Sequence, residues 1–179
     1  AMAEESAAAL LRRRRTRSEV RRGYILLALR TAMLAALAYL LLTRVFLVAR
    51  AGGMEMFPAV RDGDVLIAFR LENDCARGDI VVYSYEGKRC VGRVAARETD
   101  VVVLSEDGTL LVNGTVQTGD VFYPTYPDDA LSYPFTVPVG CLFLLGDSRT
   151  QAADSRTQGA IPLAGVQGKV IALIRRRGL

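Results

Sequence analysis

The feature that most constrains this chain is the apolar run from Gly23 to Val48, GYILLALRTAMLAALAYLLLTRVFLV, which follows a basic leader. At about 1.5 Å of rise per helical residue it reaches roughly 39 Å, more than the hydrocarbon core of about 30 Å. The run has almost no polar face to offer water, so residues 23–49 are read as a single transmembrane helix. Arg30 and Arg44 interrupt it 14 residues apart. They fall on nearly one helical face, roughly 21 Å apart along the axis, and each snorkels toward its own headgroup layer. Two readings compete with this one: a cleavable signal peptide, whose apolar region is usually shorter, and a buried or amphipathic helix.

Charge supports the same picture. Seven of the 23 basic residues lie within the first 22 positions, at Arg12 to Arg15, Arg17, Arg21 and Arg22, although the net charge is only +4. By the positive-inside rule residues 1–22 are expected to form a cytoplasmic tail and residues 50–179 an outer domain, with the lipid bilayer as a partner. Because the charge is local, it does not suggest nucleic acid. Arg175-Arg176-Arg177 near the end reads either as a solvated strand end or as a contact with anionic lipid.

Residue types then exclude whole classes of chemistry. The chain has no histidine, so a Ser-His-Asp or Cys-His nucleophile and the common histidine-containing zinc sites are out of reach. The only lysines are Lys88 and Lys169, and the cysteines are Cys75, Cys90 and Cys141. Their spacing is not that of a metal finger, and an odd count cannot complete a disulfide framework. Free or buried thiols are expected, one disulfide being the alternative, and no metal or cofactor is anticipated.

After Arg50 the pattern changes to short β-type runs bounded by turn residues: 65–69, 79–85, 89–96, 101–104, 109–112, 139–145 and 168–174. Asp107-Gly108 is a hairpin signal between two of them. The expected fold class is therefore mainly β, an antiparallel sheet domain preceded by one N-terminal transmembrane helix. The Pro-rich stretch Tyr123 to Pro138 reads as an ordered surface excursion rather than a linker.

Three segments carry a family resemblance. Gly53-Met54-Glu55-Met56-Phe57-Pro58-Ala59, followed by Asp62-Gly63-Asp64, resembles the nucleophile motif G-x-S-M-x-P-T and downstream D-G-D of the type I signal peptidases, with Glu55 where the serine stands. Arg77-Gly78-Asp79-Ile80-Val81-Val82-Tyr83 is similar to their R-G-D-I-V-V-F strand. Gly146-Asp147-Ser148-Arg149, with Asp154-Ser155-Arg156 and Gly159, matches their G-D-N-R-x-x-S-x-D-S-R-x-x-G box, the most specific of the three. The resemblance spans residues 24 to 179 and implies the signal peptidase-like β fold.

The lysine motif K-R-V-I-G-x-P-G-D of that family admits two registers here. Lys88-Arg89-Cys90-Val91-Gly92 would retain the base. The register beginning at Gly92, continuing to Asp100 and then to Leu110-Leu111-Val112-Asn113-Gly114, is preferred, because the first leaves no Asp in place and stretches the following hairpin by about four residues. Lys88 then lies about 13 Å before the base position on the same face of its strand.

Acyl transfer of this kind needs a serine hydroxyl beside a lysine kept neutral by burial. With Glu55 at the nucleophile position and Gly92 at the base position both groups are missing, and an ionised Glu55 would oppose the developing oxyanion. The resemblance implies a supporting role for Ser155 and for Asp147, Arg149, Asp154 and Arg156, with two arginines pairing two aspartates. It also implies a peptide-binding cleft around Gly53, Glu55, Met56, Asp79, Val81 and Gly92. Glu55 is expected to find a hydrogen-bond donor, Ser155 or a backbone N–H, since a buried carboxylate without one is costly. Pairing of Glu55 with Asp147 or Asp154 as a carboxylate peptidase is a minor alternative. Met56 and Phe57 are expected either at the lipid surface or in the core.

Two functions remain in competition, beside a purely structural membrane protein. One is a pseudoenzyme binding polypeptide, a pilin or a secreted preprotein, at the outer membrane face, which resembles the catalytically deficient members that assist sortase-driven pilus assembly. The other is a working endopeptidase that removes signal peptides, with Lys88 or another group recruited as base.

Overall fold

The computed structural model describes residues 2–72, 74–117 and 124–175, with side chains from Val20 onward. The chain divides at Thr43/Arg44 into two units. The first is helix α1, Met2–Val45. Its stretch Val20–Val45, 26 residues of mean hydropathy 2.2 with 0% of its apolar window buried, is long and apolar enough to cross a membrane. Thr31 and Thr43 hide their hydroxyls by donating to carbonyls three and four residues back in the helix, at Ala28, Leu27, Leu40 and Tyr39. Helix also runs through most of the expected tail, where the side chains of Arg12 to Arg17 lie outside the described residues.

The expected span ran four residues too far. Phe46–Arg50 is strand β1, paired antiparallel with β2, Val65–Phe69, from Phe46 opposite Phe69 to Arg50 opposite Val65. Apolar content alone cannot tell a lipid-facing turn of helix from an edge strand. What decides is the alternation: Leu47 and Ala49 are buried while Val48 is 65% exposed.

The other expected strands also form, 101–104 with the expected ends and the rest with ends shifted by one or two residues. They are β3 (Ile80–Tyr85), β4 (Lys88–Ala96), β5 (Val101–Leu104), β6 (Leu110–Val112), β9 (Cys141–Leu145) and β11 (Val166–Ile174). Three two-residue strands, β7 (Thr115–Val116), β8 (Phe135–Thr136) and β10 (Ile161–Pro162), and the one-turn helix α2 (Ser155–Gln158) had no legible period. One sheet of seven strands has the order β1-β2-β11-β3-β4-β9-β10, and a second of four has the order β7-β6-β5-β8. All pairings are antiparallel.

Three apolar clusters hold this second unit together. One gathers Leu47, Ala49, Ala51, Met56, Val60, Leu66, Ala68 and Val82. Another packs Phe143 and Leu145 of β9 against Val102 and Val112 of the small sheet, and the third surrounds Tyr83, Val81, Val94 and Leu144. Each fully buried Val, Leu or Phe among them contributes about 1.5–3 kcal/mol of transfer free energy.

The Asp107-Gly108 hairpin forms between β5 and β6, with Gly108 at φ +85°. A β-carbon on Gly108 would lie 2.4 Å from Pro124 Cβ, and the Thr125 N–H donates to the Gly108 carbonyl at 2.8 Å. The described part of the Pro-rich stretch is thus ordered against the hairpin, and it contributes β8 and the buried Val137 to the core. Tyr123 lies outside the described residues.

Candidate functional site

The loop that carries Glu55 is held from two sides. Below it, Asp62-Gly63-Asp64 folds back: the Gly53 N–H donates to Asp62 Oδ1 at 3.0 Å, the Gly63 N–H to the Ala51 carbonyl at 3.0 Å, and the Ala51 N–H to the Asp64 carbonyl at 2.8 Å. Gly53 and Gly63 both sit at φ +83°, where a β-carbon is disfavoured. On the other side the main chain at Glu55 rests on the end of β9. Its carbonyl accepts from the Ser148 N–H at 2.9 Å, and Gly146 makes room for that approach. A β-carbon there would stand 2.7 Å from the Glu55 carbonyl oxygen and 2.2 Å from Ala152 Cβ.

The same end of β9 collects the other expected positions. Gly92 on β4 faces Leu144: a β-carbon on it would meet Tyr83 Cε1 at 3.2 Å and Leu144 Cβ at 3.3 Å. Ser155 is fully buried, and its Oγ accepts from the Leu144 N–H at 2.9 Å. Glu55, Gly92 and Ser155, distant in sequence, therefore converge around Leu144–Gly146.

The charged box is wired differently from the expected arginine–aspartate pairs. Asp147 is taken by Arg93, whose Nε and Nη2 donate to its two oxygens at 2.7 and 2.6 Å. Asp154 does pair with Arg156, through Nε at 2.8 Å and Nη2 at 2.9 Å, and also accepts from the N–H groups of Gly146 and Arg156 at 3.1 Å. Among the described residues Arg149 does not join an aspartate; its Nη1 donates to the Thr125 hydroxyl. Burial lowers the Arg149 pKa. Arg93 was invisible as a partner because it belongs to the β4 run rather than to the box, and β4–β9 pairing alone brings it opposite Leu145.

Glu55 itself is half-buried and, among the described residues, no donor or cation bonds its carboxylate, contrary to expectation. Ser155 points its Oγ at Leu144 instead. Burial, and then the Asp154 carboxylate, push the Glu55 pKa above the ordinary value. A paired-carboxylate site is poorly served, since the oxygens of Asp147 and Asp154 are occupied by arginines and backbone. Around Glu55 lie Cys90 and Tyr83, both with raised pKa, each chiefly by burial, with Glu55 adding to the shift. Both were missed from sequence. The signal was period two, Cys90 lying two residues before Gly92 and Tyr83 two after Val81 on the same face.

A groove borders this cluster, lined by residues 49–53, Glu55, Met56 and Val60 on one side and by Arg89, Cys90 and Val91 on the other. It lies between two strand edges. β1 ends the large sheet. β9 pairs with β4 only over residues 93 to 96, which leaves the edge of Lys88 to Gly92 away from β3 unpaired among the described residues.

Not every expected cleft residue reaches the groove. Gly53, Glu55 and Met56 line it, with Met56 only 4% exposed and packed into the core, so it does not sit at a lipid surface. Val81 is fully buried in the third cluster, and Asp79 is bound to Lys169 Nζ at 2.9 Å. Gly92 is buried beneath Tyr83. The physical reason is cover rather than strand face: Gly92 shares its face with Cys90 but lies against Tyr83 and Leu144, and Val81 packs among Tyr83, Val94 and Leu144.

Neither lysine stands at the base position. Hydrogen bonds to Asp79 and then Glu72 raise the Lys169 pKa and hold it charged. Lys88 is exposed at the start of β4, four residues before Gly92. The three cysteines are free.

A membrane-length helix, an antiparallel sheet domain and a site at the junction of the 53–56 loop, β4 and the 146–156 box together define a protein of the signal peptidase class. A family model described as "Signal peptidase, peptidase S26" matches residues 24–174, and the chain belongs to that family. It is 33% identical over 130 residues to a thylakoidal processing peptidase of Arabidopsis thaliana, covering 65% of this chain and 35% of that protein. A signal peptidase I of Bacillus caldolyticus is 32% identical over 135 residues, 66% of this chain and 73% of the relative. The chain thus spans about a third of the length of the plant relative and nearly three quarters of the bacterial one. A crystal structure of a signal peptidase I from Enterococcus faecalis superposes with a TM-score of 0.47 at 27% identity, covering 55% of this chain and 97% of that one.

Proposed function

We propose that this protein is a membrane-anchored, signal peptidase-like pseudoenzyme that holds an extended polypeptide at the outer face of the membrane without cutting it. The observation that carries the reading is the unpaired Glu55 carboxylate with no lysine beside it. A half-buried carboxylate that is neutral at acidic pH and anionic otherwise offers neither the hydroxyl nucleophile nor the amine base that the family's chemistry uses. An ionised Glu55 disfavours any oxyanion forming next to it.

Support for holding polypeptide comes from the two unpaired edges that flank the groove. An extended segment laid between β1 and β4 would satisfy their free N–H and C=O groups by strand addition. The apolar helix Val20–Val45 would serve as the anchor, and the arginines before it favour an outer domain on the side away from the cytoplasm. The family resemblance extends the reading to assistance in the assembly of surface proteins such as pilins by a sortase.

The test is cleavage of a preprotein with an Ala-x-Ala site by the detergent-purified protein, comparing wild type, Glu55→Ser, Gly92→Lys and the double variant. Wild type is expected to be inert and only the double variant to gain activity. In Gly92→Lys the β-carbon alone needs Tyr83 and Leu144 to give by a few tenths of an ångström, and the full side chain adds an overpacking cost of about 1–3 kcal/mol. Cleavage by wild type that Glu55→Ala abolishes would overturn the proposal in favour of an active endopeptidase.

A further inference from the structure

Resting on that reading, the surroundings of Glu55 narrow what the groove takes. We propose that it selects a polypeptide segment carrying a lysine or arginine side chain, whose cation pairs with Glu55 while the segment's main chain lies along the open edge of β4.

Three observations lead there. Glu55 faces the groove with a carboxylate that nothing among the described residues satisfies, and a desolvated carboxylate without a donor is an unfilled half of an interaction. The charged group acting on it is Asp154, also an anion, while Cys90 and Tyr83 beside it are neutral. Two of the cations close by are committed to other carboxylates. Arg93 holds Asp147 and Arg156 holds Asp154. Arg89 and Arg50 line the groove without pairing with Glu55: Arg89 donates from Nε to the neutral amide of Gln167 at 3.0 Å, and the Arg50 guanidinium lies beside Gly63.

The groove's shape supplies the rest. Residues Lys88 to Gly92, which include Glu55's neighbour Cys90, present a strand edge that is unpaired among the described residues. Main-chain pairing along that edge would be indifferent to sequence, so discrimination falls to the side-chain sites that the bound strand meets. Glu55 is the anionic one among the groove's lining residues and carries no donor among the described residues, and a cation brought there by a peptide would remove the cost that the empty site carries.

The experiment uses the full chain in detergent micelles and three fluorescent Ala-rich peptides that differ at one scanned position: lysine, norleucine or glutamate. Polarisation titrations are run with wild type and Glu55→Gln. The lysine peptide is expected to bind wild type about tenfold more tightly than the norleucine peptide, and Glu55→Gln should erase that difference. A charge-reversed Glu55→Lys should prefer the glutamate peptide, which keeps the test independent of any general loss of fold. Equal binding of the lysine and norleucine peptides to wild type, or a lysine preference that survives Glu55→Gln, overturns the inference and leaves the polypeptide-holding reading standing. Failure of all three peptides to bind wild type overturns both.

Discussion

Glu55 is a residue that the fold keeps at a cost. Burial and the Asp154 carboxylate raise its pKa above the ordinary 4.5, so the folded state favours its protonated form. The penalty is therefore absent below the ordinary value and grows as pH rises through the folded one. Glu55→Gln should melt at a higher temperature than wild type at pH 8, and the gap should close as the pH is lowered toward 4. Thermal unfolding followed by circular dichroism at several pH values checks this; a wild type more stable than the variant at pH 8 would mean that Glu55 has a partner. Sequence reasoning singled out the residue but not its isolation. Whether a donor meets a carboxylate depends on side-chain directions set by β9 and α2, and Ser155 is spent on Leu144 rather than on Glu55.

At the scale of elements, the long strands were legible because their apolar residues recur with period two between turn residues. Val65–Phe69 and Val101–Leu104 begin and end where that pattern does. β1 was absorbed into the apolar helix, and β7, β8 and β10 are too short for any period, existing only because a partner strand lies alongside. The same limit applies to the site. The box around Asp147 and Asp154 was legible as a motif, whereas the partner of Asp147 comes from β4 through the Arg93–Leu145 register. The junction of β9 with the 53–56 loop is its tightest point. Gly146→Ala would drive a methyl group into Ala152 and into the Glu55 carbonyl, costing about 3 kcal/mol or more, since backbone cannot yield as a side chain does. Urea unfolding should show that loss, while Gly52→Ala, with nothing within 4 Å of the added carbon, should stay within about 0.5 kcal/mol of wild type.

For the molecule as a whole, the second unit owns three apolar clusters, and these supply the burial that a domain of its size needs. Arg44–Leu179, expressed without the helix, should fold and melt cooperatively within about 2–4 °C of the full chain, a shift of roughly 1 kcal/mol. A broad, non-cooperative transition in the excised domain would show that the helix is part of its stability rather than an anchor. The hold that Gly146, Ser148 and the Asp62 turn keep on the 53–56 loop acts entirely through main-chain atoms and an aspartate outside the loop. Position 55 is consequently a socket whose location is independent of what is plugged into it. A hydroxyl or an amide put in place of the carboxylate at 55 would therefore leave the wall behind it as it is, so the chemistry displayed there can be altered without altering the architecture.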